Sequence, residues 1–198
     1  PKSTQAHASA ASDLYKIQYL AWTQLPALVR EAGAQLCYKP MLLGGVFQAT
    51  GNTSPATVPA KGRYMNRDLA RFARRYGVPL GTNPYFPINT LQLMRAISGT
   101  QVRDPARFEA LLTTVFHAMW VDVRNMNDPA VVAEALAAGG FAPADIFALV
   151  NDPEVKARLK TTTEEAVQRG VFGAPTVFVG DEMFFGQDRL DFVREALA

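Results

Sequence analysis

Few side chains in this sequence are equipped for nucleophilic or metal chemistry: there are two histidines and one cysteine. His7 lies in a stretch of small polar residues. His117 sits in the apolar run Val115-Phe-His-Ala-Met-Trp120, where a core or interface histidine with a satisfied hydrogen bond is the preferred reading over catalysis. A histidine-based metal site is not expected. Cys37, between Leu36 and Tyr38, has no second cysteine three residues away, which excludes the CxxC chemistry of disulfide exchange; it reads as a small buried hydrophobe. The nucleophile elbow GxSxG, the zinc motif HExxH, the phosphate-binding loop and the dinucleotide fingerprint GxGxxG are all absent. Arg63, Arg67, Arg71 and Arg75 recur every four residues opposite Met65 and Phe72, and a solvated helix face is preferred over an anion-guiding rim. What remains is chemistry of the backbone. In Val171-Phe-Gly-Ala-Pro-Thr-Val-Phe-Val179 a proline opens a strand directly after a small residue, a place that accommodates a cis peptide and leaves the backbone groups of residue 174 unpaired by a sheet. Such groups can hold an extended peptide as an added strand.

The elements that must position this segment follow from periodicity. Residues 1–12 are small and polar and read as a flexible lead-in, with Ser12-Asp13 as a helix start. Leu14, Ile17, Ala21, Leu25 and Leu28 form the buried stripe of an amphipathic helix closed near Gly33, with Pro26 expected to kink it. Ala34 to Leu43 reads as a strand ahead of Gly44-Gly45. Gly51-Asn-Thr-Ser-Pro55 opens a loop reaching about Pro59, after which Met65, Leu69, Phe72 and Tyr76 mark a helix stopped by Gly77 and Pro79. Further helices fit 88–98, 105–121, 129–138, 143–150 and 153–169. The period then changes: residues 175–179 and 183–185 look like two strands joined at Gly180-Asp181, and 188–198 closes as a helix.

Composition fits one globular chain of 198 residues, 48% hydrophobic and 19% charged, long enough to bury about 70% of its unfolded surface. A formal charge of +2 is too near balance for a dedicated nucleic-acid binder. No apolar run is long enough for a membrane helix, and with no secretory pattern at the start a cytoplasmic location is expected. The order helix, strand, helical block, hairpin, helix predicts an α/β fold: a small sheet domain over 1–59 and 166–198, interrupted by an all-helical insertion over 60–165.

The segment 171–190 resembles the cis-proline hairpin of the thioredoxin superfamily, and specifically its DsbA-like branch with a helical insertion, which holds the kappa-class glutathione transferases and the 2-hydroxychromene-2-carboxylate isomerases. Lys39-Pro-Met-Leu-Leu-Gly-Gly-Val-Phe-Gln-Ala-Thr-Gly-Asn-Thr-Ser-Pro55, Pro59-Ala-Lys-Gly-Arg-Tyr64 and Asn83-Pro-Tyr-Phe-Pro-Ile-Asn-Thr90 are similar to the bacterial isomerase group, and the resemblance runs from about Tyr19 to the C-terminus. It implies a glutathione-dependent cis-trans isomerase that interconverts 2-hydroxychromene-2-carboxylate and trans-o-hydroxybenzylidenepyruvate in the degradation of naphthalene-type aromatics. The partner implied is a small aromatic hydroxy acid, with no nucleic acid or membrane and with a homodimer left open. Carried over by position, Ala174 and Pro175 would pair with the glutathione backbone, and Phe185, Gly186, Gln187 and Asp188 would line its other end. Gln48, Asn52, Thr57, Lys61 and Phe86 would surround the substrate. The Ser-Pro of such enzymes, whose hydroxyl caps the first helix and stabilises the thiolate, falls at Tyr15-Lys16 and is absent; Ser12, about one helical turn earlier, is the candidate catalytic donor. The apolar strand that should precede it is also missing. Two alternatives therefore stand beside the isomerase: a kappa-like transferase, and a catalytically silent binder of glutathione or an aromatic acid.

Overall fold

The computed structural model describes the backbone of residues 2–54, 57–85 and 88–198, with side chains from Tyr15 onward in those ranges. Nine α-helices and one two-stranded sheet are defined among the described residues. The chain divides into two compact units, Pro1–Tyr38, Thr50–Leu80 and Val171–Ala198 in one, Lys39–Ala49 and Gly81–Gly170 in the other.

The first unit is built on helix α1 (Lys2–Glu31), which continues through Pro26. Its core stripe, Ala21, Leu25, Leu28 and Val29, packs with Phe184, Leu190 and Val193, and Leu36, Val177, Val179 and Leu197 close around that cluster. Helix α3 (Pro59–Tyr76) packs on α1 with Leu69 and Ala73 buried. Lys16, itself buried, donates to Asn66 Oδ1 at 2.8 Å across this seam, and the Tyr19 hydroxyl donates to the Pro79 carbonyl at 2.9 Å. Gly77, at φ 66°, ends α3 in the left-handed conformation that a glycine takes without a Cβ penalty. Strands β1 (Thr176–Val179) and β2 (Glu182–Phe185) form an antiparallel hairpin, Thr176 opposite Phe185 and Val179 opposite Glu182, around the two-residue Gly180-Asp181 turn. The chain closes with α9 (Leu190–Leu197), whose Leu190 and Val193 face the core.

The second unit holds α2 (Leu43–Thr50, all but its last residue) and helices α4 (Leu91–Arg103), α5 (Phe108–Trp120), α6 (Pro129–Ala138), α7 (Pro143–Asn151) and α8 (Pro153–Gln168). Proline at the first helical turn starts α6, α7 and α8, where its missing N–H costs no bond, and Asp128 and Asp152 cap α6 and α8 by accepting from Ala130 N and Glu154 N. Helix α4 lies at the centre, packed on α5, α7 and α8. At Gly99 an added Cβ would stand 2.8 Å from Leu149 Cβ, so the helices approach there closer than any side chain permits.

Several expectations are corrected. Residues 34–42 form no strand: backbone groups of a strand need a ladder partner, and among the described residues only β1 and β2 pair. Cys37 is exposed rather than buried, and so is His117 on α5. Helix α1 starts at Lys2, upstream of the Ser12-Asp13 start, because Ala6, Ala8, Ala10 and Ala11 favour helix and no Gly or Pro interrupts 2–12. Leu43–Thr50 is helical despite Gly44-Gly45; Gly45 lies against Thr163, and Leu42 N donates to Thr163 Oγ1 at 3.0 Å. The unit boundaries also differ from the expected 60–165 insertion: α3 belongs with α1, and 39–49 with the helical unit. No described helix is long and apolar enough to cross a membrane.

Candidate functional site

The Ala174-Pro175 peptide is cis, at the entrance to β1. Gly186 N donates to the Pro175 carbonyl at 3.0 Å, which extends the hairpin by one rung, and Thr176 Oγ1 donates to the Gly173 carbonyl at 2.9 Å. Ala174 is left between these bonds. It is only 2% exposed, yet its N–H and C=O have no hydrogen-bond partner among the described residues. Buried backbone groups are almost always paired, so an open pair at the end of a strand is a place where a peptide-like ligand is favoured.

An aromatic pair borders this position. The rings of Phe172 and Phe185 lie 4.6 Å apart between centroids, both partly exposed, and a Cβ on Gly173 would meet the Phe185 ring at 2.7 Å. Glycine at 173 is what lets the ring cross the backbone. Asn52 ties the loop after α2 to the same segment: its Nδ2 donates to the Phe172 carbonyl at 2.8 Å, while its Oδ1 accepts from Thr53 N at 2.8 Å. Its side chain is thus occupied in holding the loop. Thr57 is equally committed, with both its N–H and hydroxyl donating to the Ser54 carbonyl. Lys61 stands exposed in the first turn of α3.

Beyond β2, Gly186 adopts φ 103° and ψ 152°, a conformation reserved for glycine, and turns the chain into the Gln187–Arg189 3-10 turn. Gln187 is buried and its carbonyl accepts from the Tyr76 hydroxyl at 3.1 Å. Burial raises the Tyr76 hydroxyl pKa above its ordinary value; Arg75 opposes this, and the nearby carboxylates Asp191 and Asp188 add to it. Asp188 Oδ2 pairs with Arg189 Nη1 at 2.8 Å, both side chains nearly half exposed. An anion and a cation thus stand together at the surface, a donor set that suits the ammonium and carboxylate of an α-amino acid.

The structure therefore brings Asn52, Ala174, Pro175, Phe185, Gly186, Gln187 and Asp188 into one unit, together with Thr57 and Lys61. Gln48 is exposed on α2, in the helical unit. Phe86 and the Ser12 side chain lie outside the described residues. Because α1 runs through residue 12, Ser12 is no N-cap, and the capping role expected of it is corrected. Three neighbours were missed in the sequence: Phe172, Tyr76 and Arg189. Gly173, a glycine wedged between Phe172 and Ala174, is the one local sign of a close approach there. Tyr76 carried no such sign, since it read only as the last residue of a buried helix face.

Comparison with known proteins agrees with this geometry. Residues 18–198 match the family described as DSBA-like thioredoxin domain. A curated 2-hydroxychromene-2-carboxylate isomerase from Sphingobium xenophagum is 33% identical over 184 residues, covering 90% of this chain and 91% of the relative. Glutathione S-transferase kappa 2 from Caenorhabditis elegans is 30% identical over 173 residues, 81% of this chain and 77% of that protein. A solved structure of 2-hydroxychromene-2-carboxylate isomerase superposes with a TM-score of 0.81 at 28% identity, covering 93% of this chain and 90% of that one. With the cis-proline hairpin and helical unit in place, the chain belongs to the DsbA-like thioredoxin domain family and, within it, to the family of 2-hydroxychromene-2-carboxylate isomerases.

Proposed function

We propose that the protein is a glutathione-dependent isomerase interconverting 2-hydroxychromene-2-carboxylate and trans-o-hydroxybenzylidenepyruvate. The observation that carries the reading is the buried, unpaired backbone of Ala174 beside cis-Pro175, in the same unit as the exposed Asp188–Arg189 pair. Glutathione is an extended tripeptide with a zwitterionic α-amino acid end, and this set of groups fits both features. Ala174 holds its backbone through N–H and C=O, with Pro175 beside it. Asp188 takes the ammonium, Arg189 the carboxylate, and Phe185 and Gly186 shape the wall between. The buried Gln187 acts through its place in the 3-10 turn, fixed by Tyr76. When bound, glutathione supplies a thiol that adds reversibly to a conjugated chain, making a double bond single so that it can rotate, and leaves unchanged.

For the substrate, Lys61 offers a cation to its carboxylate, and Asn52 and Thr57 hold the loop that borders it. Gln48 and Phe86 are assigned to the substrate on the resemblance in sequence alone, and Ser12 to the thiol on its place about one helical turn before the position where the family's Ser-Pro is absent. A kappa-like transferase is the second reading, favoured by the relative so named at 30% identity. Calorimetric titration with glutathione, followed by optical assay of the isomerisation, tests both. Saturable binding weakened about ten-fold or more in Asp188→Ala, with isomerisation above that of free glutathione, is the expected result. Binding with conjugation of electrophiles but no isomerisation selects the transferase. Binding without either activity selects the silent binder, and no glutathione binding removes every reading but a binder of an aromatic acid.

A further inference from the structure

A cavity of about 140 Å³ opens within the helical unit, and every residue around it belongs to 81–170. Four helices wall it: Leu93 and Ala96 from α4, Val115 from α5, Leu136 from α6, and Ile146 and Val150 from α7, all buried. A close-packed helical bundle normally leaves no void much larger than a water molecule. A sealed apolar cavity of roughly 150 Å³ takes up a benzene-sized molecule, and this pocket, similar in volume but partly open to solvent and partly polar in its lining, has room for one ring.

Three further features of the lining narrow the ligand. Met126 and Phe147 both face the space, and thioether sulfur and a ring face both favour an aromatic guest over an aliphatic one. The lining contains no charged side chain, so a carboxylate entering it would be desolvated without a counter-charge. Its polar groups are three amides, Asn89, Gln92 and Asn127. Asn89 Oδ1 is committed to Leu91 N at 3.1 Å, and Asn127 Oδ1 to Asn89 N at 2.9 Å. Gln92 lines the pocket and is exposed, and its amide has no hydrogen-bond partner among the described residues.

We propose that this cavity is a binding site for a small neutral monocyclic arene carrying one hydrogen-bonding substituent, of the phenol class. The ring occupies the apolar space and the hydroxyl meets the Gln92 amide. Its lining shares no residue with the hairpin, and binding there does not depend on glutathione.

Titration of the whole protein with phenol, toluene and benzoate, followed by protein-observed NMR, is the test. One saturable phenol site per chain is expected, with toluene bound about five-fold more weakly and benzoate not detectably. Ala96→Leu, which fills the cavity, is expected to abolish phenol binding. Gln92→Ala, a surface change that leaves packing alone, is expected to bring phenol down about five-fold to the affinity of toluene, which keeps the test decisive should Ala96→Leu misfold. Benzoate binding as well as phenol, no saturable phenol binding, or phenol affinity unchanged in Gln92→Ala overturns the proposal. Phenol binding lost in Asp188→Ala and retained in Ala96→Leu also overturns it, by placing the ring at the hairpin. Loss of glutathione binding alone leaves the phenol result standing, so the two readings fail independently.

Discussion

At the scale of single residues, the hairpin is set by positions where a side chain would not fit. Gly186 combines φ 103° with an Asp188 oxygen 2.5 Å from where its Cβ would stand. Gly186→Ala therefore meets both backbone strain and a clash with the carboxylate proposed to hold the ligand. It is expected to destabilise the protein by roughly 1–3 kcal/mol in denaturant unfolding and to weaken glutathione binding in the same preparation. Ser12 is the residue whose role rests on sequence position alone. If its hydroxyl donates to the bound thiolate, Ser12→Ala raises the pKa of the thiol and slows isomerisation about ten-fold or more, while glutathione affinity changes little. A variant with wild-type rate would leave the thiolate to another group.

At the scale of elements, two helices of the second unit, α6 and α8, are started by carboxylate caps, and the cap on α8 can be titrated. Asp152 caps α8 through Glu154 N and also accepts from Arg103 at 2.8 Å, and Arg103 reaches Glu154 as well. The hydrogen bond from Arg103, followed by the one from the Glu154 backbone, holds the Asp152 carboxyl below its ordinary pKa. A carboxylate depressed on folding stabilises the native state at pH values above its unfolded pKa of about 3.9, and that stabilisation is lost as pH falls through the lower folded value. Asp152→Asn is thus expected to lower Tm at pH 7, and the gap to wild type should shrink steadily below about pH 4. Because the pair is exposed, the gap should be small and should narrow in high salt. A gap that persists unchanged at low pH would assign the effect to packing.

At the scale of the whole molecule, each unit has its own core and each is sensitive at its centre. Leu111, fully buried on α5, is expected to cost about 2–5 kcal/mol when cut to alanine, measured by urea unfolding. Val193 on α9 serves the first unit in the same way, since it closes the cluster that α1 and β2 share. The contact of α3 with α1 explains why the basic stripe Arg63, Arg67, Arg71 and Arg75 faces water: Leu69 and Ala73 take the buried face, and the arginines point away from it.

The sequence by itself determined what local chemistry controls. Gly77 ended α3, the Gly180-Asp181 turn fixed the hairpin register, Pro129, Pro143 and Pro153 started their helices, and the small residue before Pro175 marked the cis peptide. These features depend on neighbouring dihedrals and capping groups, which a short window of residues specifies. What depends on distant partners was decided only in three dimensions. Ala34 to Leu43 has the composition of a strand but no ladder to join among the described residues, and Cys37 lies exposed. Leu43–Thr50 becomes helical against Thr163, from a residue more than a hundred positions away. Asn52, expected beside a substrate by resemblance, has its side-chain amide bonded to the Phe172 carbonyl, a contact no local pattern announced, and Arg189 emerged as the partner of Asp188. Pairing, burial and hydrogen-bond satisfaction are properties of groups brought together by the tertiary fold, and no local pattern records them.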